Sequence, residues 1–284
     1  WAMMKALETN IRTGGGIPQF GNGDEVTNFF TDLGVTLEDA RDHGHLGCYY
    51  PMPKNQGHQY KILGQLVNMA LLLDLALHNG VAPMTGKKVG LETGDPRTFE
   101  SFEDLYEAYK KQAEFIWRRL TYYNRLIWQA DVAAWRMPLT SVVSPGCTEN
   151  GLDLLMGGQI PDPSKNPIWD NQDRGYIPVA DSLMAIKKLV FEDKKLTMGE
   201  LLEALDTNFA GERGEEIRKM CLDVPKYGND IDEVDYILRD ISNIVPNILS
   251  TENAKTPWGS KYTLNRQGVA WHYYGGKGVG ALPS

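Results

Sequence analysis

Gly44-His45-Leu46-Gly47-Cys48-Tyr49-Tyr50-Pro51-Met52-Pro53 sets a cysteine between a glycine and a Tyr-Tyr-Pro turn, directly ahead of a long apolar stretch. Proline has no amide hydrogen to donate and drives the residue before it into extended geometry. Cys48 is therefore expected on a constrained loop and not inside a helix or a central strand. Reactive side chains are commonly held on loops that a rigid scaffold positions. The same pattern also fits a buried thiol acting as a small hydrophobe. The rest of the chain has to separate the two readings.

Upstream, Met3 to Arg12 reads as the end of a helix, stopped by Gly14-Gly15-Gly16, and Ile17 to Asp24 is rich in turn formers. Three glycines let backbone approach backbone or a ligand closely, and they suit a solvated linker equally well. Asp24 is a fair N-cap for a helix over residues 25–33, and Thr36 for a short one over 37–43. Downstream, residues 60–78 carry apolar side chains at helical spacing, and Asn79-Gly80 is a C-terminal stop. Residues 81–96 read as irregular, and 99–135 as one long helix closed by Pro138.

Leu139 to Ser144 has the β-branched look of a short buried strand, and residues 152–177 are loop-rich. Four amphipathic helices follow, over 179–191, 197–209, 214–222 and 231–248, the second opened by a Thr197-x-x-Glu200 capping box. The tail from Tyr262 alternates like a strand. Helices with short buried strands and Gly/Pro loops imply an α/β architecture.

The totals narrow the function. The 284 residues allow one large domain or two ordinary ones, and 42% hydrophobic with 23% charged residues is a globular composition. A formal net charge of −8 opposes a nucleic-acid surface. Cysteines at 48, 147 and 221 are odd in number and far apart, which suits a reducing cytoplasm better than a disulfide framework. No run reaches the roughly 20 apolar residues of a membrane span, and no secretory signal is visible. The chain opens at Trp1 without an initiator Met, which points to a piece of a longer protein.

Familiar motifs give little. His43, His45, Cys48 and His58 fit no common zinc spacing, so no metal site is expected. Gly275 to Gly280 lacks the GK[ST] ending of a phosphate loop, and G-x-S-x-G and H-E-x-x-H are absent.

Several segments together resemble the catalytic subunit of glycyl radical enzymes, the pyruvate formate-lyase-like family. They are Gly14 to Asn22, Asp39-Ala40-Arg41-Asp42 with Gly47-Cys48, Leu75 to Gly80, and Cys147-x-Glu149-Asn-Gly151-Leu-Asp153. The most specific are Asp181 to Phe191 and Pro225-Lys226-Tyr227-Gly228-Asn229-Asp230; Gly278 to Ser284 closes the match. The resemblance covers nearly the whole chain in family order. It implies part of a ten-stranded α/β barrel with surrounding helices, residues 1–284 being a partial catalytic domain that lacks the glycyl radical domain. It implies Cys48 as the thiyl radical site. No cofactor would be bound by this stretch itself: the radical would be a protein-derived glycyl radical outside the chain, installed by a radical SAM activase.

Two departures shape the branch. Decarboxylating and dehydrating members usually carry Cys-x-Glu, whose carboxylate moves protons, whereas this chain has Cys48-Tyr49-Tyr50; the adjacent cysteines of pyruvate formate-lyase are also absent. An aromatic, non-titrating neighbourhood suits addition of a hydrocarbon C–H across fumarate. The expectation is therefore an alkylsuccinate or benzylsuccinate synthase type, with Tyr49, Tyr50, Lys61 and Gln19 in substrate binding and Lys61 facing a fumarate carboxylate. That branch implies fumarate and a hydrocarbon as substrates, small accessory subunits, a homodimer and a cytoplasmic location. The alternatives are a glycyl radical dehydratase, decarboxylase or formate acetyltransferase-like lyase, with Tyr50, His45 or Glu149 as an unusual base, and a non-catalytic barrel subunit.

Overall fold

The computed structural model describes residues 1–13, 22–32, 34–46, 50–53, 62–156, 168–252 and 261–266. Two compact units form. One holds Trp1–Gln65, Thr121–Asn171 and Glu252–Ala270, the other Leu66–Leu120, Gln172–Thr251 and Trp271–Ser284.

In the first unit α1 (Ala2–Arg12) and α2 (Gly23–Asp32) precede α3 (Leu37–Arg41). The Asp24 amide donates to Asn22 Oδ1, so Asn22 supplies the cap expected of Asp24. Thr36 caps α3 as expected, accepting from the Asp39 amide. Val26, Phe30, Val35 and Ala40 close a small core beneath these helices.

Strands β1 (His43–Leu46) and β2 (Tyr50–Pro53) then pair antiparallel, Leu46 opposite Tyr50 and His43 opposite Pro53. Both prolines fit because a two-stranded ribbon leaves the outer edge of each strand without a partner. The described flanks of Cys48 thus pair as an antiparallel ribbon; Cys48 itself, expected on a constrained loop, lies outside the described residues.

Strand β3 (Ile62–Asn68) leads directly into α4 (Met69–Leu77). The single helix expected over 60–78 is corrected: Asn68 is extended and its side chain accepts from the Ala70 amide, which starts the helix there. Six of the nine residues of α4 are buried apolar side chains, each large one stabilising by about 1.5–3 kcal/mol. Asn79 and Gly80 end it at positive φ as expected. A Cβ on Gly80 would lie 2.2 Å from the Leu91 carbonyl oxygen, so no larger residue fits there.

The turn that follows holds a short ladder of β4 (Val81–Ala82) and β5 (Lys87–Lys88). Helix α5 (Phe102–Ala134) is the long helix expected from the sequence. In the second unit its Gln112 is fully buried and acts like a strand edge. Its Oε1 accepts from Leu91 N at 2.9 Å, and its Nε2 donates to Leu91 O at 2.8 Å.

The expected strand at 139–144 is also corrected. Pro138–Val142 forms a short helix, α6, with Pro138 in its first turn, followed by α7 (Pro145–Asn150). Asp153 explains this, because one of its carboxylate oxygens accepts from Met137 N and from Ser141 Oγ. A carboxylate at a helix N-terminus favours the turn over a strand.

The loop-rich reading of 152–177 missed β6 (Ile168–Arg174), the middle strand of a β3-β6-β7 sheet whose last member is Lys261–Arg266. Then come α8 (Tyr176–Ile186), a π-helical turn over Lys187–Glu192, α9 (Met198–Asp206), α10 (Gly211–Asp223) and α11 (Asp232–Glu252). The Thr197–Glu200 capping box is present. Pro246 sits inside α11; an interior proline costs about 3 kcal/mol, and burial of Ile241, Val245, Ile248 and Leu249 offsets it.

The described residues are mostly helical. Their strands make one three-stranded sheet and two ribbons, and a closed ten-stranded barrel is not among them. No helix among them is long and apolar enough to cross a membrane.

Candidate active site

Ala40, fully buried, anchors the root of the hairpin that flanks Cys48. Its carbonyl lies 2.9 Å from Nδ1 of His43, the first residue of β1. A short capped helix, a buried alanine and a two-stranded ribbon are the described elements next to residues 47–49 in sequence. Cys48 and Tyr49 lie outside the described residues, as do Gln19 and Lys61; of Tyr50 only the backbone pairing with Leu46 is described. His45 is described in its backbone alone, opposite Pro51.

Glu149, one of the bases considered, follows Cys147 in a literal Cys-x-Glu. Both fall in α7, where residues two apart point to different sides. Cys147 is buried, and its thiol is raised above the ordinary range first by burial and then by the nearby Asp153 carboxylate. It is a neutral packing thiol, and Glu149 does not face it. Cys221 is likewise pushed up by burial. Among the described residues no three His, Cys, Asp or Glu side chains gather as a metal site.

The two segments that carried the family resemblance most specifically turn out to be joined. Asp181 of α8 accepts the Tyr227 amide at 2.9 Å. Lys226 donates to the carbonyls of Cys221 and Val224, closing the C-terminal end of α10, and Asn229 donates to the Lys226 carbonyl. Burial holds the Lys226 ammonium below the usual lysine range. These residues fasten a turn to a helix. Beside them Lys187 and Lys188 on the π-helical turn both pair with Glu192 and Glu233.

Two charged groupings had no signal in the sequence. His78 ends α4 with Nδ1 2.8 Å from the Asp74 carbonyl and Nε2 3.0 Å from Asp206 Oδ1, so both ring nitrogens are set to donate. The Asp74 side chain most of all, then Asp206, raises its pKa to about 9 against the opposing effect of burial. In the other unit Arg125 pairs with the buried Glu252 at 3.1 Å, and Tyr262 donates to the Thr121 carbonyl at 3.3 Å. Asp74 is a local i,i+4 neighbour of His78, but Asp206, Glu252 and Thr121 lie more than a hundred residues from their partners, and no local pattern reveals those.

The pyruvate formate lyase-like family matches residues 2–276. Trans-4-hydroxy-L-proline dehydratase of Clostridioides difficile is 35% identical over 273 residues, covering 96% of this chain and 33% of that protein. Isethionate sulfite-lyase of Oleidesulfovibrio alaskensis is 36% identical over 235 residues, covering 82% and 28% respectively. The crystal structure of the Clostridioides difficile dehydratase with its substrate bound superposes with a TM-score of 0.80 at 34% identity, over 92% of this chain and 32% of that one. The chain belongs to the pyruvate formate lyase-like family of glycyl radical enzymes. It spans about a third of the length of these relatives. They are a dehydratase and a sulfite-lyase, so the expected kinship with alkylsuccinate synthase finds no support in them.

Proposed function

We propose that this chain is the cysteine-bearing portion of a glycyl radical lyase that eliminates a heteroatom group from a small polar substrate, with Cys48 as the thiyl radical site. The observation that carries this reading is the 35–36% identity to a dehydratase and a sulfite-lyase across most of the chain. The family's glycyl radical, set by an activating enzyme of the radical SAM type, supplies the unpaired electron.

The chain's own share is to present one S–H bond. The Cys48 sulfur radical takes a hydrogen atom from substrate carbon, forming S–H and a carbon radical. The carbon radical's own O–H or N–H gives up its proton as the group on the neighbouring carbon leaves with its electron pair; a leaving hydroxide takes up that proton as water, and a neutral product radical remains. The product radical then takes the hydrogen atom back from sulfur. Atoms and electrons balance, and no outside oxidant is needed. A neutral thiol suffices, so a thiolate-stabilising cation is not required. The ribbon β1–β2 flanks that cysteine in sequence, and exclusion of water protects the radical.

Tyr50 stands where eliminating members carry glutamate, and this favours a second reading: addition of a hydrocarbon to fumarate. There Tyr49, Tyr50 and Gln19 would line an apolar pocket and Lys61 would orient a fumarate carboxylate, with the accessory subunits and homodimer that branch implies. A polypeptide of the relatives' length containing this chain, activated without oxygen, separates the two. Water, sulfite or another small leaving group released from a polar substrate, with no product from alkane plus fumarate, supports elimination. A substituted succinate refutes it. Turnover that survives Cys48→Ala removes both.

A further inference from the structure

We draw no further inference here: the strongest candidate, the cavity between the π-helical turn and the C-terminal end of α10, floored by Leu189, Met220, Val224 and Pro225, carries nothing, because Lys188 and Lys195 at its rim are already paired with Glu192, Glu233 and Asp193 and nothing in the structure shows what it would hold.

Discussion

Raising the pH should loosen α4 from α9 through a single imidazole. His78 donates from both ring nitrogens, to the Asp74 carbonyl at 2.8 Å and to Asp206 at 3.0 Å, which only the imidazolium can do. Its pKa is pushed from 6.5 to about 9, first of all by the Asp74 side chain. A raised folded-state pKa contributes stability that is complete below the unfolded value, near 6.5, and is lost as the pH climbs through about 9.

The gap between those values corresponds to about 3 kcal/mol at about 1.4 kcal/mol per pH unit. Asp206 is half exposed, so solvent screening brings the expected loss to about 1–2 kcal/mol. The assay is an NMR titration of the imidazole, assigned by its disappearance in His78→Gln, alongside denaturant unfolding from pH 6 to 9.5. The wild-type minus His78→Gln stability difference should shrink across that range. A titration midpoint near 6.5, or a difference that stays flat, would refute the doubly hydrogen-bonded imidazolium.

Gly80→Ala should destabilise by about 3 kcal/mol or more, since it places a Cβ 2.2 Å from Leu91 O at a φ of +83°; an unchanged unfolding midpoint would show that the turn relaxes freely. Glu252→Ala leaves the partly buried Arg125 without its carboxylate and should cost about 1–3 kcal/mol, with Glu252→Ala/Arg125→Met recovering part of it; equal loss in single and double variants would contradict the pairing. Cys48→Ser should abolish turnover in the activated longer protein while leaving its glycyl radical signal in electron paramagnetic resonance. Tyr50→Glu, which restores the Cys-x-Glu pattern, should raise elimination activity if protonation of the leaving group limits the rate, and product release followed by mass spectrometry checks it.

The sequence by itself determined whatever depends on neighbours a few residues apart. Thr36 and the Thr197–Glu200 box start their helices where capping chemistry says they should, and Asn79-Gly80 stops α4 at positive φ. The order of family segments from Gly14 onward fixed the family before any coordinate. What only the tertiary structure decided depends on residues distant along the chain. The Leu139-Thr140-Ser141-Val142 segment folds as helix because Asp153, more than ten positions on, accepts from the Met137 amide. The signatures at 181 and 227 form one hydrogen-bonded fastening. Asp206, far along the chain, adds to the local hold of Asp74 on His78, and Arg125 finds its partner in Glu252. Short-range propensities differ by at most about 1 kcal/mol per residue, so a buried charge or a carboxylate delivered from another segment overrules them. Local pattern therefore identified the family and most helices, and contacts between distant segments, the Asp153 carboxylate at α6 and the β3-β6-β7 sheet, settled elements that it missed.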